Sequence, residues 1–348
     1  MIAFRVDINK DIASGHIMRC MTIAEKVRAA GEEVLFISGD EYCSSFLTPK
    51  SFKYVITNSP ADNWDSEIDL MKSIIKEYSI KCLFVDSYIV SDTYLKELKT
   101  VCKIAFIDDF LTKQLDVSLL LAPTQSRSLD FVNDLYEGTN TKLLLGKDYL
   151  IIRDEFLDLN DCGPDTKASN TNFSDKGILI TTGGSDKYHF TLGIIKEILA
   201  NSALLKNKYF VIIGSLNDDY EEIKALVKDC DSFVLLKNIS NMGYYMHNSF
   251  YAISAGGNTV YELLCCKVAL STIALSDDQV ALGKRLASMN ILNYEGDCRQ
   301  DTKEVIAKCI NTLEDISQNG INSKMQSAVE AYTDGLGATR IAKALIEL

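Results

Sequence analysis

The chain has 348 residues, of which 47% are hydrophobic and 24% are charged, and its formal net charge is −12. This length suits two domains of ordinary size, and the composition is that of a globular protein. The acidic balance argues against a nucleic-acid partner, because phosphate binding comes largely from Lys and Arg, and no apolar run approaches the roughly 20 residues of a membrane span.

Residue usage also bears on compartment and on metals. The strand-like N-terminus carries Arg5 and Asp7 and does not resemble a signal peptide. The ten cysteines include no CxxC pair, and the three histidines show no metal-ligand spacing. We therefore expect a cytoplasmic protein with reduced thiols, no bound metal and no stable membrane association.

The predicted elements of the first half alternate between strands and helices. The opening strand MIAFRVD is followed by a helix with Ile17, Cys20, Met21, Ala24 and Val27 at helical spacing. Further short apolar strands are predicted at EEVLFIS, FKYVIT, KCLFVD, KIAFID, VSLLLA and TKLLLG, with helices such as WDSEIDLMKSIIKEY between several of them. Short, continuously apolar strands favour a parallel sheet that helices cover on both faces.

A polar segment rich in Gly, Pro, Ser and Asn separates this half from a second alternating half. We predict a first domain over 1–158, a linker over 159–176, a second domain over 177–333 and a terminal helix over 334–348. The strands of the second half are predicted at GILITT, KYFVIIG, SFVLLK, FYAISA and VALSTIAL. Two such α/β domains imply a cleft between them, with ligands bound beyond the carboxyl ends of the strands.

Two glycine turns follow strands of the second half. In SAGGNTVYEL, Gly256 and Gly257 precede a helix, an arrangement that lets a phosphate approach the backbone and the helix start. A tight turn is an equally good interpretation, and Thr259 to Glu262 also fits a capping box. TTGGSD has the same shape, although Ser185 or Asp186 could simply cap the next helix.

Polar side chains also occupy strand ends in the first half. His16, directly after Gly15, lies at the predicted turn from the first strand to the first helix. An imidazole there can project into a cleft and titrates near neutral pH, although a lone histidine is more often structural. FVDSY ends at Tyr88 and FIDD ends at Asp109, so both place polar groups just past apolar strands. These groups are candidates for a site or for helix caps.

The order of these motifs resembles one known family. FRVDINKDIASGHIMRCMTIA is similar to the start of the UDP-2,4-diacetamido-2,4,6-trideoxy-beta-L-altropyranose hydrolases of pseudaminic acid biosynthesis, where R-x-D and a loop precede G-x-G-H-x-x-R-x-x-x-L-A. VDSY, FIDD, KLLLGKDYLIIRDEF, TTGGSD, SAGGNTVYEL and DGLGATRIA follow in the family's order, from about residue 4 to 341. The resemblance implies an α/β, GT-B-like fold, with two Rossmann-type parallel-sheet domains facing a cleft.

The resemblance also implies an activity. The family hydrolyses the anomeric C–O bond of a UDP-linked 2,4-diacetamido-2,4,6-trideoxy sugar, needs neither metal nor cofactor, and supplies nonulosonic (pseudaminic-type) acid synthesis for surface polysaccharides. His16 would act as the base or orient the water, and Glu262 would hold the ribose hydroxyls. A monomer is expected, although the sequence leaves the oligomeric state open. The implied residues are His16, Asp7 and Tyr88 for catalysis; Arg5, Gly15, Arg19, Asp278 and Gln279 for the sugar; and Gly183, Gly184, Ser185, Gly256, Gly257, Asn258, Thr259 and Glu262 for the nucleotide.

The chain departs from the family pattern at three places. Ala13 replaces the first glycine of G-x-G-H, Asp278 stands where the family commonly has Asn, and LLLAPTQ replaces a strand end rich in Asn and Gln. These departures bear on the identity of the sugar more than on the nucleotide. Two other classes stay open: a GT-B glycosyltransferase that passes the sugar to an acceptor, and a non-catalytic protein that binds nucleotide sugars.

Overall fold

A computed structural model describes residues 1–8, 15–124, 127–157 and 176–348. The chain forms two compact units, Met1–Ile152 with Gly335–Leu348, and Arg153–Asp334. The second unit thus begins earlier than the predicted linker, because the short 3-10 turn Asp154–Phe156 packs against helices of that unit. The predicted linker lies outside the described residues apart from Lys176.

The first unit contains a seven-stranded parallel sheet. Its strands are β1 (Ile2–Val6), β2 (Val34–Ser38), β3 (Lys53–Ile56), β4 (Cys82–Asp86), β5 (Lys103–Ile107), β6 (Leu119–Ala122) and β7 (Lys142–Leu145). Their order is β3-β2-β1-β4-β5-β6-β7. Phe4 lies opposite Phe36 and Phe84 on the neighbouring strands, and the central strands are buried along their whole length. The predicted parallel sheet is confirmed.

Helices cover this sheet and one of them comes from the end of the chain. They are α1 (Gly15–Ala29), α2 (Ser44–Leu47), α3 (Ile68–Glu77), α4 (Asp92–Lys99), α5 (Leu129–Leu135) and the last helix, α13 (Gly337–Ile346). The predicted terminal helix belongs to the first unit, since Ile341 and Leu345 of α13 are buried in the same core as Ile17 of α1. No helix of the described residues is long and apolar enough to cross a membrane.

The second unit contains a six-stranded parallel sheet in the order β10-β9-β8-β11-β12-β13. The strands are β8 (Gly177–Thr181), β9 (Tyr209–Ile213), β10 (Phe233–Lys237), β11 (Ser249–Ala255), β12 (Ala269–Ala274) and β13 (Asn293–Asp297). The helices are α6 (Phe190–Ala200), α7 (Tyr220–Val227), α8 (Met242–His247), α9 (Asn258–Cys265), α10 (Asp277–Ser288), α11 (Cys298–Asn319) and α12 (Ser323–Glu330). The sequence did not predict β13, because this edge strand is polar and half-buried.

In both sheets the order in which the strands are added reverses at one place. In the first unit the chain builds outward from β1 through β2 to β3 and then returns to β4 on the other side of β1. In the second unit it builds from β8 through β9 to β10 and returns to β11 beside β8. Open α/β sheets bind ligands beyond the carboxyl ends of the strands where this order reverses, here β1 with β4 and β8 with β11.

Candidate functional site

In the first unit a buried carboxylate, Asp86, ends β4 and binds two side chains of α1. His16 Nδ1 lies 2.7 Å from Asp86 Oδ1. Arg19 donates from Nε to Asp86 Oδ2 over 2.6 Å and from Nη2 to Oδ1 over 2.5 Å. His16 and Arg19 are three positions apart on α1 and so share one face of the helix. Because β1 leads into α1 and pairs with β4, the strand order brings this face to Asp86.

The charge of Asp86 determines which nitrogen of His16 carries the proton. Burial alone would raise the pKa of Asp86, but hydrogen bonds and charge from Arg19 and His16 hold that pKa below its usual range. The ionised carboxylate only accepts hydrogen bonds, so we assign Nδ1–H of His16 as the donor. Arg19 Nη2 is farther from Nδ1, at 3.3 Å. Nε2 therefore keeps its lone pair, and no residue of the described ranges hydrogen-bonds to it.

A second carboxylate, Asp109, extends this network from the loop after β5. Arg19 Nη1 donates to Asp109 Oδ2 over 2.9 Å, and the Tyr88 hydroxyl donates to the same oxygen over 3.0 Å. The Tyr88 ring packs edge-on against His16, with 4.6 Å between ring centroids. Partial burial and the Asp109 charge raise the pKa of Tyr88 to about 12. Tyr88 is therefore a neutral hydroxyl held beside the imidazole.

We expect Asp86 to stabilise the first unit in a pH-dependent way. Its folded-state pKa is lowered, so the stabilisation is present above the ordinary carboxyl pKa of about 3.9 and is lost as pH falls through the folded-state value. At pH 7, Asp86→Asn should lower the free energy of unfolding by roughly 2 kcal/mol, and the difference should shrink as the pH falls below the ordinary carboxyl pKa. Urea unfolding at several pH values measures this. Asp62→Asn, at an exposed site of the same unit, is the control, and a pH-independent difference for Asp86→Asn would contradict the assignment.

Arg5 and Asp7 belong to a separate buried cluster at the end of β1. Arg5 is 0% exposed, donates from Nε to Glu67 Oε1 over 2.7 Å, bonds Asp7 through Nη1, and lies 3.8 Å above the Trp64 ring. Asp7 also accepts from Trp64 Nε1 over 2.8 Å and from the backbone N–H of Gly39 over 2.7 Å. Buried charges need such partners. In the described structure no hydrogen bond joins Arg5 or Asp7 to His16, and the cluster fixes the strand end that leads toward α1.

Residues 9–14 lie outside the described part of the chain, and Ala13 is among them. Gly15 is exposed at the start of α1, and a Cβ added there would meet nothing within 4 Å. Among the described residues, none therefore fills the space beside Gly15.

In the second unit two glycine turns follow the adjacent strands β8 and β11. Gly183 and Gly257 have φ of +86° and +130°, a region that favours glycine. A Cβ added at Gly183, Gly184 or Gly257 would meet nothing within 4 Å. Helix α9 begins directly after Gly257, so the first-turn N–H groups of Asn258 and Thr259 have no partner within the helix. Open glycine backbone beside a helix N-terminus suits a phosphate.

The first glycine turn is braced from two sides. A Cβ on Gly214, which follows β9, would lie 2.3 Å from the carbonyl oxygen of Gly183. The Asp186 carboxylate accepts from two backbone N–H groups at the start of α6, over 3.0 and 2.7 Å. Asp186 is therefore a helix cap, the plainer of the two interpretations considered for it. Ser185 lies partly buried in the same turn.

Gln279 packs against Gly256 at the second turn, and Asp278 precedes Gln279 in α10. A Cβ on Gly256 would lie 2.8 Å from Cβ of Gln279, so this glycine permits close packing. Gln279 Oε1 accepts from the backbone N–H of Leu275 over 2.8 Å. Asp278 is exposed in the first turn of α10, where the helix dipole favours a negative charge.

Glu262 does not form the capping box that the sequence permits. Gly257 is the N-cap of α9 and no side chain caps the helix, while Thr259 is already inside it. Glu262 Oε1 instead accepts from Arg153 Nη2 over 3.1 Å. Burial raises the pKa of Glu262, and Arg153 opposes this rise.

Asp86, Arg153 and Gly214 were not predicted as site residues, whereas Asp109 was a candidate for a site or a helix cap. Asp86, Asp109 and Arg153 complete networks around the residues that the resemblance implied, and Gly214 supports a predicted turn. A carboxylate at the end of a buried apolar strand, as in KCLFVD, was the available signal for Asp86. Within the described ranges no group of three or more His, Cys, Asp or Glu side chains is arranged to hold a metal ion.

Solved structures share this fold along the whole chain. MurG of Acinetobacter baumannii superposes with a TM-score of 0.67 at 11% identity, covering 100% of this chain and 99% of that one. UDP-GlcNAc 2-epimerase from Neisseria meningitidis, solved with UDP-GlcNAc, superposes with a TM-score of 0.67 at 12% identity, covering 100% of both chains. The chain therefore has an α/β fold of the GT-B type, made of two Rossmann-like parallel-sheet units, as the resemblance implied.

Sequence relatives are distant, and no family model matches the chain. An uncharacterised protein of Methanocaldococcus jannaschii is 25% identical over 276 residues, which are 76% of this chain and only 53% of that protein. The spore coat polysaccharide biosynthesis protein SpsG of Bacillus subtilis is 20% identical over 282 residues, covering 78% of this chain and 77% of that protein. This chain thus spans about half the length of the first relative.

Proposed function

We propose that this chain is a nucleotide-sugar hydrolase that cleaves the anomeric C–O bond of a UDP-linked 2,4-diacetamido-2,4,6-trideoxy sugar. The observation that carries the proposal is the His16–Asp86 pair, in which a 2.7 Å hydrogen bond orients the imidazole and leaves Nε2 able to accept a proton. The pair lies where the sheet order of its unit reverses, the usual place of a ligand site. The family resemblance supports the choice of sugar.

The reaction needs one proton acceptor and one good leaving group. A water oxygen attacks the anomeric carbon, the bond from that carbon to the UDP oxygen breaks, and UDP leaves with the bonding electrons. Nε2 of His16 takes the proton of the attacking water and later returns it to solvent. The Asp86 carboxylate stabilises the imidazolium that forms in between. The Tyr88 hydroxyl, fixed on Asp109, would help place the sugar or the water.

The second unit would bind the nucleotide. The open backbone at Gly183 and Gly257 and the N-terminus of α9 would hold the diphosphate, and the helix dipole would stabilise its developing charge. Glu262 would accept hydrogen bonds from the ribose hydroxyls. The backbone N–H groups of the glycine turns and of the start of α9 stabilise the negative charge of the leaving diphosphate. The proposed mechanism therefore requires neither a metal nor another cofactor.

The comparisons support this substrate class. One structural neighbour was solved with UDP-GlcNAc, and one sequence relative is named for polysaccharide biosynthesis. The family resemblance is the ground for proposing that the product serves nonulosonic (pseudaminic-type) acid synthesis for surface polysaccharides. The cytoplasmic location and the monomeric state stay predictions from the sequence.

The second candidate is a GT-B glycosyltransferase of surface polysaccharide synthesis. The likeness to MurG favours it, and a base such as His16 can deprotonate an acceptor hydroxyl as well as water. Transfer and hydrolysis differ in one observable, namely whether UDP is released without an acceptor.

We expect the purified protein to release UDP and free sugar in a one-to-one ratio from the UDP-linked sugar, with EDTA present and no acceptor. UDP is measured by a coupled assay and the sugar by NMR, with UDP-GlcNAc as the comparison substrate. Release that begins only when an acceptor is added would favour the transferase. Loss of activity in EDTA that magnesium or manganese restores would contradict the metal-independent mechanism.

A further inference from the structure

Arg153 is the first residue of the second unit and lies between two carboxylates. Its Nη1 is 2.7 Å from Glu155 Oε1, and its Nη2 donates to Glu262 Oε1 over 3.1 Å. The guanidinium carbon lies 4.8 Å from the centre of the Phe156 ring, which is fully buried. The planar group is thus fixed by a ring and by ionic bonds in two directions, and the mechanism above does not use it.

Glu262 is held through one oxygen. Oε1 accepts from Arg153, whereas Oε2 has no hydrogen-bond partner among the residues that the structure describes. Glu262 follows Asn258, the first residue of α9, by four positions, so it lies about 6 Å along the axis on the same face. A ligand whose anionic group binds at the helix start therefore brings its neighbouring groups to Oε2.

The charges around Glu262 favour hydroxyl donors over a second phosphate. Two carboxylates, Glu155 and Glu262, share one guanidinium, so the cluster is negative overall. Burial raises the pKa of Glu262, the charge and hydrogen bond of Arg153 lower it, and the charge of Glu155 raises it. An ionised carboxylate accepts stronger hydrogen bonds from hydroxyl groups than a neutral carboxyl does, provided that a free oxygen faces them.

We propose that Arg153 is a positioning residue that keeps Glu262 ionised and turned so that Oε2 accepts a hydrogen bond from a ribose hydroxyl. Arg153 thereby sets a preference for ribonucleotides over 2′-deoxyribonucleotides. The inference rests on the proposed function, which assigns the ribose to Glu262.

A purely structural role for Arg153 makes a different prediction. The 3-10 turn Asp154–Phe156 packs against α8 and α9, and Arg153 could simply fasten that turn. Its loss would then lower stability and weaken UDP and 2′-deoxy-UDP equally, without any change in the pH dependence of binding.

The test is calorimetric binding of UDP and 2′-deoxy-UDP to the full chain, which requires no catalysis. The wild type should prefer UDP by about tenfold or more, and Arg153→Met should reduce this ratio to within about twofold. Arg153→Lys should restore part of the ratio, since it returns the charge without the planar fork. Raising the pH should restore part of the preference in Arg153→Met, and this part should disappear at a higher pH than in the wild type, because the unopposed buried carboxyl binds its proton more tightly.

Arg285→Met is the matched control. Arg285 of α10 donates over 3.2 Å to the hydroxyl of Tyr261, which lies on α9 as Glu262 does. Arg285→Met therefore also removes an arginine contact to α9, but it should keep the preference for UDP. An unchanged ratio and pH profile in Arg153→Met, with UDP still bound, would overturn this inference alone, as would a wild type without the preference. A wild type that binds no UDP would overturn the proposed nucleotide site and this inference with it.

Discussion

His16→Asn is expected to lower kcat by about a hundredfold or more while UDP affinity changes by less than about twofold. Asn keeps a donor near Asp86 but offers no nitrogen that can take a proton near neutral pH. If Nε2 accepts the proton of the attacking water, the loss appears in the transition state and not in nucleotide binding. Single-turnover rates, UDP affinity and the thermal midpoint, measured on one preparation, separate these effects.

His247→Asn is the control for this change. His247 lies in α8 of the second unit, its Nε2 is 3.6 Å from Cys266 Sγ, and it has no place in the proposed mechanism. It should keep the wild-type turnover. A structural role for His16 would instead lower the thermal midpoint and leave near-normal turnover in the folded fraction. A stable His16→Asn variant that releases UDP at the wild-type rate would remove His16 from the mechanism.

Gly257→Val is expected to weaken UDP binding by about a hundredfold, because the new side chain occupies the open space where the diphosphate would approach the backbone. It also strains the turn, since φ is +130° there. That strain is on the order of 1–3 kcal/mol and appears in the free energy of unfolding. Calorimetry with UDP and denaturant unfolding of the same variant measure the two losses.

Gly320→Val separates strain from obstruction. Gly320 caps the end of α11 with φ of +76°, and a Cβ there also meets nothing within 4 Å. This variant should lose stability to a similar degree and bind UDP as the wild type does. Equal UDP affinity in the folded Gly257→Val variant and the wild type would place the diphosphate elsewhere.

The sequence by itself determined the two parallel sheets. Strands that are buried on both faces must be continuously apolar, and such runs are visible without any tertiary information, so every strand predicted from one is present. The glycine turns were predicted for a similar local reason. Glycines that stand between an apolar strand and a helical segment can be located from the sequence alone. Strand β13 was not predicted, because it lies at the edge of its sheet, is only half-buried and therefore lacks an apolar run.

Only the tertiary structure decided which polar groups meet. Asp86 and His16 are 70 positions apart, and β4 lies beside β1 because the strand order reverses there, which no local pattern encodes. The same holds for Arg153 and Glu262, which are 109 positions apart. Arg5 and Asp7 are a related case: the family resemblance implied site roles for them, and the structure shows that they pair inside the unit, since a buried charge without partners costs too much free energy. Whether a segment is buried can be predicted from its own apolar residues. The partner of a buried charge depends instead on which strands lie side by side in the sheet.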